Sequence, residues 1–282
     1  MEPRLAAQGA KGHAAERHIA ERIVALARNE YARIGVPAGA LDSITTNVRS
    51  FEGWRAEGLP KGSLTSAYYS KAYASLDIDA RRIGEFLNER DARRKLLLRA
   101  DLAVAVARGL SHVAIDASGI GKLPGTRIRG RSLRRAVYMA NEALSTFCGN
   151  VVGERICSSL GDSDGTTREL VRLMMSQGSV AITARNSLLS RSRPSRRHAM
   201  DEIGHHIGDA AYLVAAKGEA TTAGIREMLN AEDLVEPLRQ LARAASEYGR
   251  TDPEVAKAFN RLVRGTGIRI ETGKELAGAL RK

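Results

Sequence analysis

The chain has 282 residues, of which 44 are Lys or Arg and 32 are Asp or Glu, so its formal net charge at pH 7 is +12. A hydrophobic content of 43% is too high for a disordered basic tail, and no apolar run approaches the ~20 residues of a membrane span. A charge of this size favours nucleic acid or an anionic surface as the partner.

The cysteine content and the N-terminal sequence both indicate a reducing, intracellular setting. The chain has only two cysteines, Cys148 and Cys157, and both lie in apolar sequence. Two such residues do not form the disulfide framework of a secreted protein. The first residues also lack the apolar stretch of a signal peptide. We therefore expect a protein without disulfides and without membrane insertion.

Helical periodicity predominates in the first part of the chain. The first predicted helix covers residues 14–34 and ends before Gly35. A second predicted helix, over 41–57, has apolar side chains at roughly helical spacing: Leu41, Ile44, Val48, Phe51 and Trp54. Further helices are expected over 63–75, over 79–90 with Asp77 or Asp79 as N-cap, and over 92–109 with Gly109 as the stop.

The second part of the chain continues the helical pattern after a Gly- and Pro-rich stretch. Residues 111–131 predict a long surface loop, and 190–197 a shorter one. Residues 179–184 predict a short strand. Helices are expected over 132–148, 150–160, 166–177, 198–216, 222–231, 233–247, 252–264 and 273–281. This helix content is far above the usual third of residues, so the sequence predicts an all-α fold.

Two long stretches of the sequence contain arginines and no acidic residue. Between Asp116 and Glu142 the basic residues are Lys122, Arg127, Arg129, Arg131, Arg134 and Arg135. From Leu170 to Met200 they are Arg172, Arg185, Arg191, Arg193, Arg196 and Arg197. A solvated helix face normally mixes both signs of charge, whereas guanidinium groups match phosphate oxygens in a bidentate fashion. The tracts therefore predict a polyanionic partner, nucleic acid above all.

Aromatic residues are few, 4% of the chain, which argues against a broad base-stacking platform. The densest group consists of Tyr68, Tyr69 and Tyr73. These side chains have two interpretations that the sequence leaves open: they stack on one or two bases, or they form the half-buried face of a helix over 63–75.

The histidine-rich segment 198–206 has the spacing of a metal-binding helix. His198, Glu202 and His205 fall on one helix face, and Asp201-Glu202-x-x-His205 is similar to a zinc-protease helix whose first histidine has become Asp. Because a zincin needs histidines at i and i+4, an ordinary polar helix face is the simpler interpretation. A zinc-dependent hydrolase at this helix remains a remote alternative.

Two other patterns carry little weight as catalytic signals. His112 and Cys148 could form a base and a nucleophile, but apolar sequence around a cysteine is typical of a core position. Residues 118–122 (SGIGK) are only superficially similar to a phosphate loop, since the complete motif and a preceding buried strand are missing. We expect no enzymatic activity and no cofactor.

Residues 72–83 (AYASLDIDARRI) are the first of several motifs that follow one another in a recognisable order. These motifs resemble the nucleocapsid proteins of phlebovirus- and tenuivirus-like segmented negative-strand RNA viruses, which have an Ala-Tyr-x-Gly-Phe-Asp-x-x-Arg-Val element similar to residues 72–83. An apolar run before Arg-Gly is similar to residues 103–109, and a Leu-x-Arg-Val-Ala helix leading to a Cys is similar to 133–148. Residues 194–200 and the order of elements from Thr222 to Lys282 continue the resemblance, which spans roughly 63–282.

The resemblance implies two helical lobes that flank a basic RNA-binding cleft, with an N-terminal helical arm. The implied divisions are an extension helix over 1–38, an oligomerisation arm over 39–62, an N-terminal lobe over 63–160 and a C-terminal lobe over 161–282. In this family the arm packs on the neighbouring subunit. The resemblance thus assigns oligomerisation to Leu41, Ile44, Val48, Phe51 and Trp54.

The resemblance also implies particular RNA contacts. Arg108 matches the arginine of the family's Arg-Gly element, Arg135 that of its Leu-x-Arg helix, and Tyr73 its stacking tyrosine. Lys217 falls near a further basic position. Together with the acid-free tracts, the expected RNA-binding residues are Tyr73, Arg108, Lys122, Arg127, Arg129, Arg131, Arg134, Arg135, Arg196, Arg197 and Lys217.

The leading hypothesis from the sequence is therefore a non-enzymatic viral nucleoprotein. It would encapsidate single-stranded genomic RNA without sequence preference and self-assemble into a ribonucleoprotein in the virion and the host-cell cytoplasm. A viral polymerase is a further partner that the family implies. A bacterial or phage DNA-binding or packaging protein remains the principal alternative, because the same charge distribution would suit it.

Overall fold

The computed structural model describes residues 14–51, 66–120, 130–160, 169, 193–215, 219–249 and 251–272. Of these residues, 73% are helical, and they form nine helices and a small three-stranded mixed sheet. The prediction of a mostly helical protein is confirmed. The prediction of a strictly all-α fold is wrong, because residues expected in two helices form strands instead.

The helices and strands of the described residues are numbered in chain order. The helices are α1 (Ala14–Ile34), α2 (Ala38–Asp42), α3 (Ala80–Asn88), α4 (Ala92–Ser118), α5 (Arg131–Ser159), α6 (Arg193–Val214), α7 (Glu219–Leu229), α8 (Val235–Glu247) and α9 (Pro253–Leu262). The strands are β1 (Thr45–Arg49), β2 (Ala67–Ser70) and β3 (Ser75–Asp79).

The sheet has the order β1-β3-β2, with β3 at its centre. β1 runs parallel to β3, with Thr45 opposite Ser75, and β2 runs antiparallel to it, with Ala67 opposite Ile78. All five residues of β3 are buried, including the carboxylate of Asp77. That carboxylate is compensated by Arg49 at 2.8 Å, Asn47 at 3.0 Å and the Ser75 hydroxyl at 3.0 Å, as a buried charge requires.

The chain divides into two compact units. The first comprises Met1–Val113 and Val152–Val171, and the second comprises Ala114–Val151 and Arg172–Lys282. The first unit contains the sheet, α1, α2 and α3. The second contains α6 to α9. The two long helices α4 and α5 each contribute residues to both units.

Two predicted helices are wrong, over 41–57 and over 63–75. Within the first range α2 ends at Asp42 and residues 45–49 form β1, and within the second residues 67–70 form β2. β-Branched Thr45, Thr46 and Val48 favour a strand, and so do the adjacent tyrosines of β2. In sequence the central strand (SLDID) alternates polar and apolar residues, which is a strand signal that the sequence interpretation missed.

The proposed oligomerisation stripe is therefore not a single helix face. Leu41 and Ile44 are buried at 1% and 6% exposure within the chain's own fold. Val48, on β1, and Phe51, just after it, are half-buried. Trp54 lies outside the described residues. Two of the five side chains are thus already covered by their own chain, which removes the argument that this stripe needs a neighbouring subunit to cover it.

The two longest helices continue through positions where breaks were expected. Gly109 does not end a helix at 109, because α4 runs on to Ser118, through the first part of the predicted loop. A Cβ at Gly109 would lie 2.4 Å from Leu76 Cδ1, so this glycine allows α4 to pack closely on the sheet. The helices predicted over 132–148 and 150–160 form one helix, α5.

Several other predictions of elements agree with the structure. α1 has the predicted bounds. Asp79 is the N-cap of α3, and its side chain accepts a hydrogen bond from the Arg81 backbone N–H. α7, α8 and α9 lie within two or three residues of their predicted limits. α6 begins at Arg193, five residues before its predicted start, so the loop predicted over 190–197 is wrong from residue 193 on. Apart from residue 169, which is helical, the predictions over 166–177, 179–184 and 273–281 lie outside the described residues.

None of the helices in the described part of the chain combines the length and the apolar character that crossing a membrane would require.

Candidate nucleic-acid interface

The α5 and α6 helices form a parallel pair within the second unit. Tyr138 on α5 donates a hydrogen bond to the Asp201 carboxylate on α6. Further along both helices, Asn150 Nδ2 donates to Asp209 Oδ1 at 2.8 Å in a buried environment. Because the residue numbers rise together in both helices, the two run in the same direction.

Two glycines on α6 allow the pair to pack closely. A Cβ at Gly204 would lie 2.6 Å from Glu142 Cβ, and a Cβ at Gly208 would lie 2.4 Å from the backbone oxygen of Ala143. Neither position has room for a side chain. Gly204 and Gly208 are four residues apart and so lie on the same face of α6. The backbones of α5 and α6 thus approach as closely as glycine permits.

The parallel pairing brings the starts of the two helices to the same end of the pair. α5 begins at Arg131 and α6 at Arg193, seven and eight residues before the Tyr138–Asp201 hydrogen bond. The first turn of neither helix contains an acidic residue. Part of each acid-free tract therefore lies at this end of the pair: Arg131, Arg134 and Arg135 on α5, and Arg193, Arg196 and Arg197 on α6. We call these six positions the arginine end.

The arginine end lacks the carboxylates that helix starts usually have. The N-terminus of a helix carries a partial positive charge, and a carboxylate in the first turn normally offsets it. Here the first turns of two parallel helices lie at one end of the pair, and neither contains an acidic residue. Backbone N–H groups at helix starts and guanidinium groups are both donors that phosphate oxygens accept. A phosphate group would interact favourably with this end.

The arginines on α5 are available to a ligand. Arg131 and Arg134 are exposed, and Arg135 is half-buried. Among the residues that the structure describes, no acid forms an ion pair with any of the three. Arg196 and Arg197 lie in the first turns of α6, and their side chains are outside the description. Lys122, Arg127, Arg129 and Lys217 fall outside the described residues.

The other two expected RNA contacts lie in the first unit. Tyr73 lies in the turn between β2 and β3 and is 76% exposed. Arg108 is half-buried on α4, close enough to Asp101 for an attractive electrostatic interaction. Arg108 therefore already has an acidic neighbour, in contrast to the arginines on α5.

Asp101 is the most perturbed carboxyl of this region. Burial raises its pKa above the ordinary 3.8, while a hydrogen bond from the Ser66 hydroxyl and the charges of Arg82 and Arg108 act in the opposite direction. This partly buried carboxylate, close to two arginines, lies among the residues that hold the sheet to α4. We assign these contacts to the fold of the first unit.

The histidine helix does not assemble a metal site within the described residues, where no cluster of three potential ligands occurs. His205 Nδ1 lies 2.6 Å from Thr146 Oγ1, and its Nε2 lies 3.8 Å from Glu142 Oε2. This order of hydroxyl, imidazole and carboxylate is similar to that of a hydrolase triad. Thr146 is fully buried, however, so a substrate cannot reach its hydroxyl. The three groups hold α5 and α6 together.

His112 and Cys148, which the sequence did not favour as a catalytic pair, have structural surroundings. The Cys148 thiol is completely buried, and burial raises its pKa, which keeps it protonated and unreactive. The ring of His112 stacks on Tyr69, with a centroid distance of 6.4 Å and an interplanar angle of 14°.

Burial of His206 predicts a loss of stability in acid. Burial lowers the pKa of His206 below 6.5, partly opposed by Asp209 and Asp252, and its Nε2 has no hydrogen-bond partner. The folded protein therefore binds this proton less readily than the unfolded chain. The free energy of unfolding should be highest above pH 6.5 and should decrease as the pH falls below it. Urea denaturation at several pH values measures this decrease, and His206→Gln should flatten it; parallel pH profiles for both proteins would contradict the assignment.

The series of side-chain contacts between α5 and α6, which we call the α5–α6 ladder, is the feature that the sequence interpretation missed. Polar residues recur at every fourth position of α5, as Tyr138, Glu142, Thr146 and Asn150, and of α6, as Asp201, His205 and Asp209. This recurrence, with Gly204 and Gly208, was the available signal of a close helix pair.

No family model, curated protein or solved structure matches the chain.

Proposed function

We propose that this protein binds single-stranded RNA through the phosphate backbone, without sequence preference and without enzymatic activity. The observation that carries the proposal is the arginine end, where two acid-free tracts from distant parts of the sequence start two parallel helices. Phosphate contacts of this kind supply affinity that is independent of base sequence and decreases with salt.

The choice of RNA and of a nucleoprotein role is supported by the sequence resemblance to nucleocapsid proteins. Exposed Tyr73, in the turn between β2 and β3, is the position where that family stacks a base. Self-assembly on RNA belongs to the same proposal. Since Leu41 and Ile44 are buried in their own fold, the subunit contact would use other residues than those two.

The first test is whether the purified protein carries nucleic acid. Protein prepared at low salt should show a high ratio of absorbance at 260 nm to that at 280 nm and should elute from a sizing column as a large species. RNase, but not DNase, should reduce both. A low ratio on a monomer would contradict the proposal.

A second test separates single-stranded RNA from duplex DNA. In fluorescence anisotropy, labelled oligouridylate and a mixed-sequence RNA should bind with similar affinity, and a DNA duplex of equal length should bind more weakly. Preference for the duplex would instead favour a DNA-packaging protein, for which the arginine end would serve equally well.

A further inference from the structure

Helix α9 has a solvent face that is basic beyond its first turn. Lys257 and Arg261 are four residues apart and so lie on one face of the helix, and Arg264 follows just past the helix end. We call these three positions the basic stripe. All three side chains are exposed. The opposite face is buried through Val255, Ala256, Ala258 and Phe259. The stripe therefore has a fixed orientation and is presented to solvent.

The cations of this stripe have no acidic partner within the described part of the chain. Helix α8 provides a contrast, because its exposed arginines lie between Glu236 and Glu247, and Arg239 forms an ion pair with Glu236. The α8 pattern is that of an ordinary solvated face. The helix dipole favours cations in the last turn of α9, but it does not account for Lys257 in the middle of the helix.

The chemistry of this face fits a nucleic acid better than a protein. Protein interfaces depend on buried aromatic or aliphatic anchors, whereas nucleic-acid interfaces are polar and positively charged. Within the described residues, the exposed large hydrophobic side chains are those of Tyr68, Tyr73 and Val214, and α9 contributes none of them. A partner on this face would be held by charge alone.

We propose that Lys257, Arg261 and Arg264 form a second phosphate-binding surface for the RNA strand that the arginine end binds. This inference rests on the proposed function. Asp252, the N-cap of α9, lies close enough to His206 on α6 for an electrostatic interaction. His206 lies about 20 Å along α6 from Arg193, at 1.5 Å of rise per residue. The start of α9 therefore lies along α6 from the arginine end, within the same unit.

The test compares two double variants with the same change of charge. Lys257→Gln with Arg261→Gln removes two cations from α9, and Arg239→Gln with Arg243→Gln removes two from the mixed face of α8 at the same spacing. Binding of labelled oligouridylate is measured by anisotropy over a range of salt concentrations. The α9 variant should bind on the order of tenfold more weakly at low salt, and its slope of log K against log salt should be smaller by about 1.4, at roughly 0.7 per lost contact.

The outcomes distinguish this inference from the function on which it rests. If the wild-type protein does not bind RNA, both are overturned. If the wild-type protein binds RNA but the α8 and α9 variants behave alike, only the second surface is overturned. Binding of polyglutamate is measured as well. If the α9 variant loses its affinity for polyglutamate while its affinity for RNA is unchanged, the stripe would be assigned to an acidic protein segment and the inference would be overturned.

Discussion

Replacing Arg131 and Arg134 by glutamate should reduce the affinity for single-stranded RNA on the order of 100-fold. Both side chains are exposed at the start of α5 and have no acidic partner in the described part of the chain. The substitution removes two phosphate contacts and adds repulsion of the strand. Anisotropy measurements should also show a slope of log K against log salt that is smaller by about 1.4, since each single-strand contact contributes roughly 0.7.

The fold should tolerate this double substitution. Acidic residues in the first turn of a helix interact favourably with its N-terminal partial charge, by about 0.3–1 kcal/mol each. Far-UV circular dichroism and the urea midpoint should therefore be unchanged or slightly raised. Arg239→Glu with Arg243→Glu gives the same change of net charge on α8 and serves as the control. Equal losses of affinity in the two variants would show that net charge alone, and not the arginine end, governs binding.

Replacing Gly208 by alanine should destabilise the protein by about 2–3 kcal/mol, at the upper end of the usual cost of overpacking. The added Cβ would lie 2.4 Å from the Ala143 oxygen and 2.7 Å from Thr146 Cβ. The first of these is a backbone atom inside α5, which cannot move aside as a flexible side chain can. The helices would have to separate, which would weaken the hydrogen bonds between them. Urea denaturation measures the change.

Gly224→Ala provides the matched control for that substitution. Gly224 lies in α7, and no atom comes within 4 Å of the position of an added Cβ. Since alanine is favoured over glycine in a helix interior by about 0.8–1.0 kcal/mol, this variant should be more stable than the wild-type protein. If Gly208→Ala were as stable as Gly224→Ala, the close approach of α5 and α6 would be refuted.

The sequence predicted the elements whose signals are local. α1 shows a clear apolar stripe and ends at a glycine, and α3 and α9 begin at Asp79 and Asp252, which cap them. The charge of the arginine tracts was equally plain. Such features depend on neighbours a few residues apart, and so they can be interpreted without knowledge of the fold.

The features that the sequence interpretation missed depend on contacts between distant residues. β3 is buried on both faces although its sequence alternates polar and apolar residues, and the compensation of Asp77 by Arg49 and Asn47 could not be foreseen. Gly109 was interpreted as a helix stop. Sequence alone does not distinguish a glycine that makes room for the sheet from a glycine that ends a helix. The pairing of α5 with α6 required both helices to be placed first.

The order of synthesis limits when the arginine end can exist. Tyr138 and Asp201 are 63 residues apart, and Asn150 and Asp209 are 59 apart. Contacts over such separations form late, after the cost of closing a long loop has been met. A chain that has emerged from the ribosome only as far as α5 carries one arginine tract without the other. The arginine end is therefore complete only after α6 has been synthesised and has paired with α5.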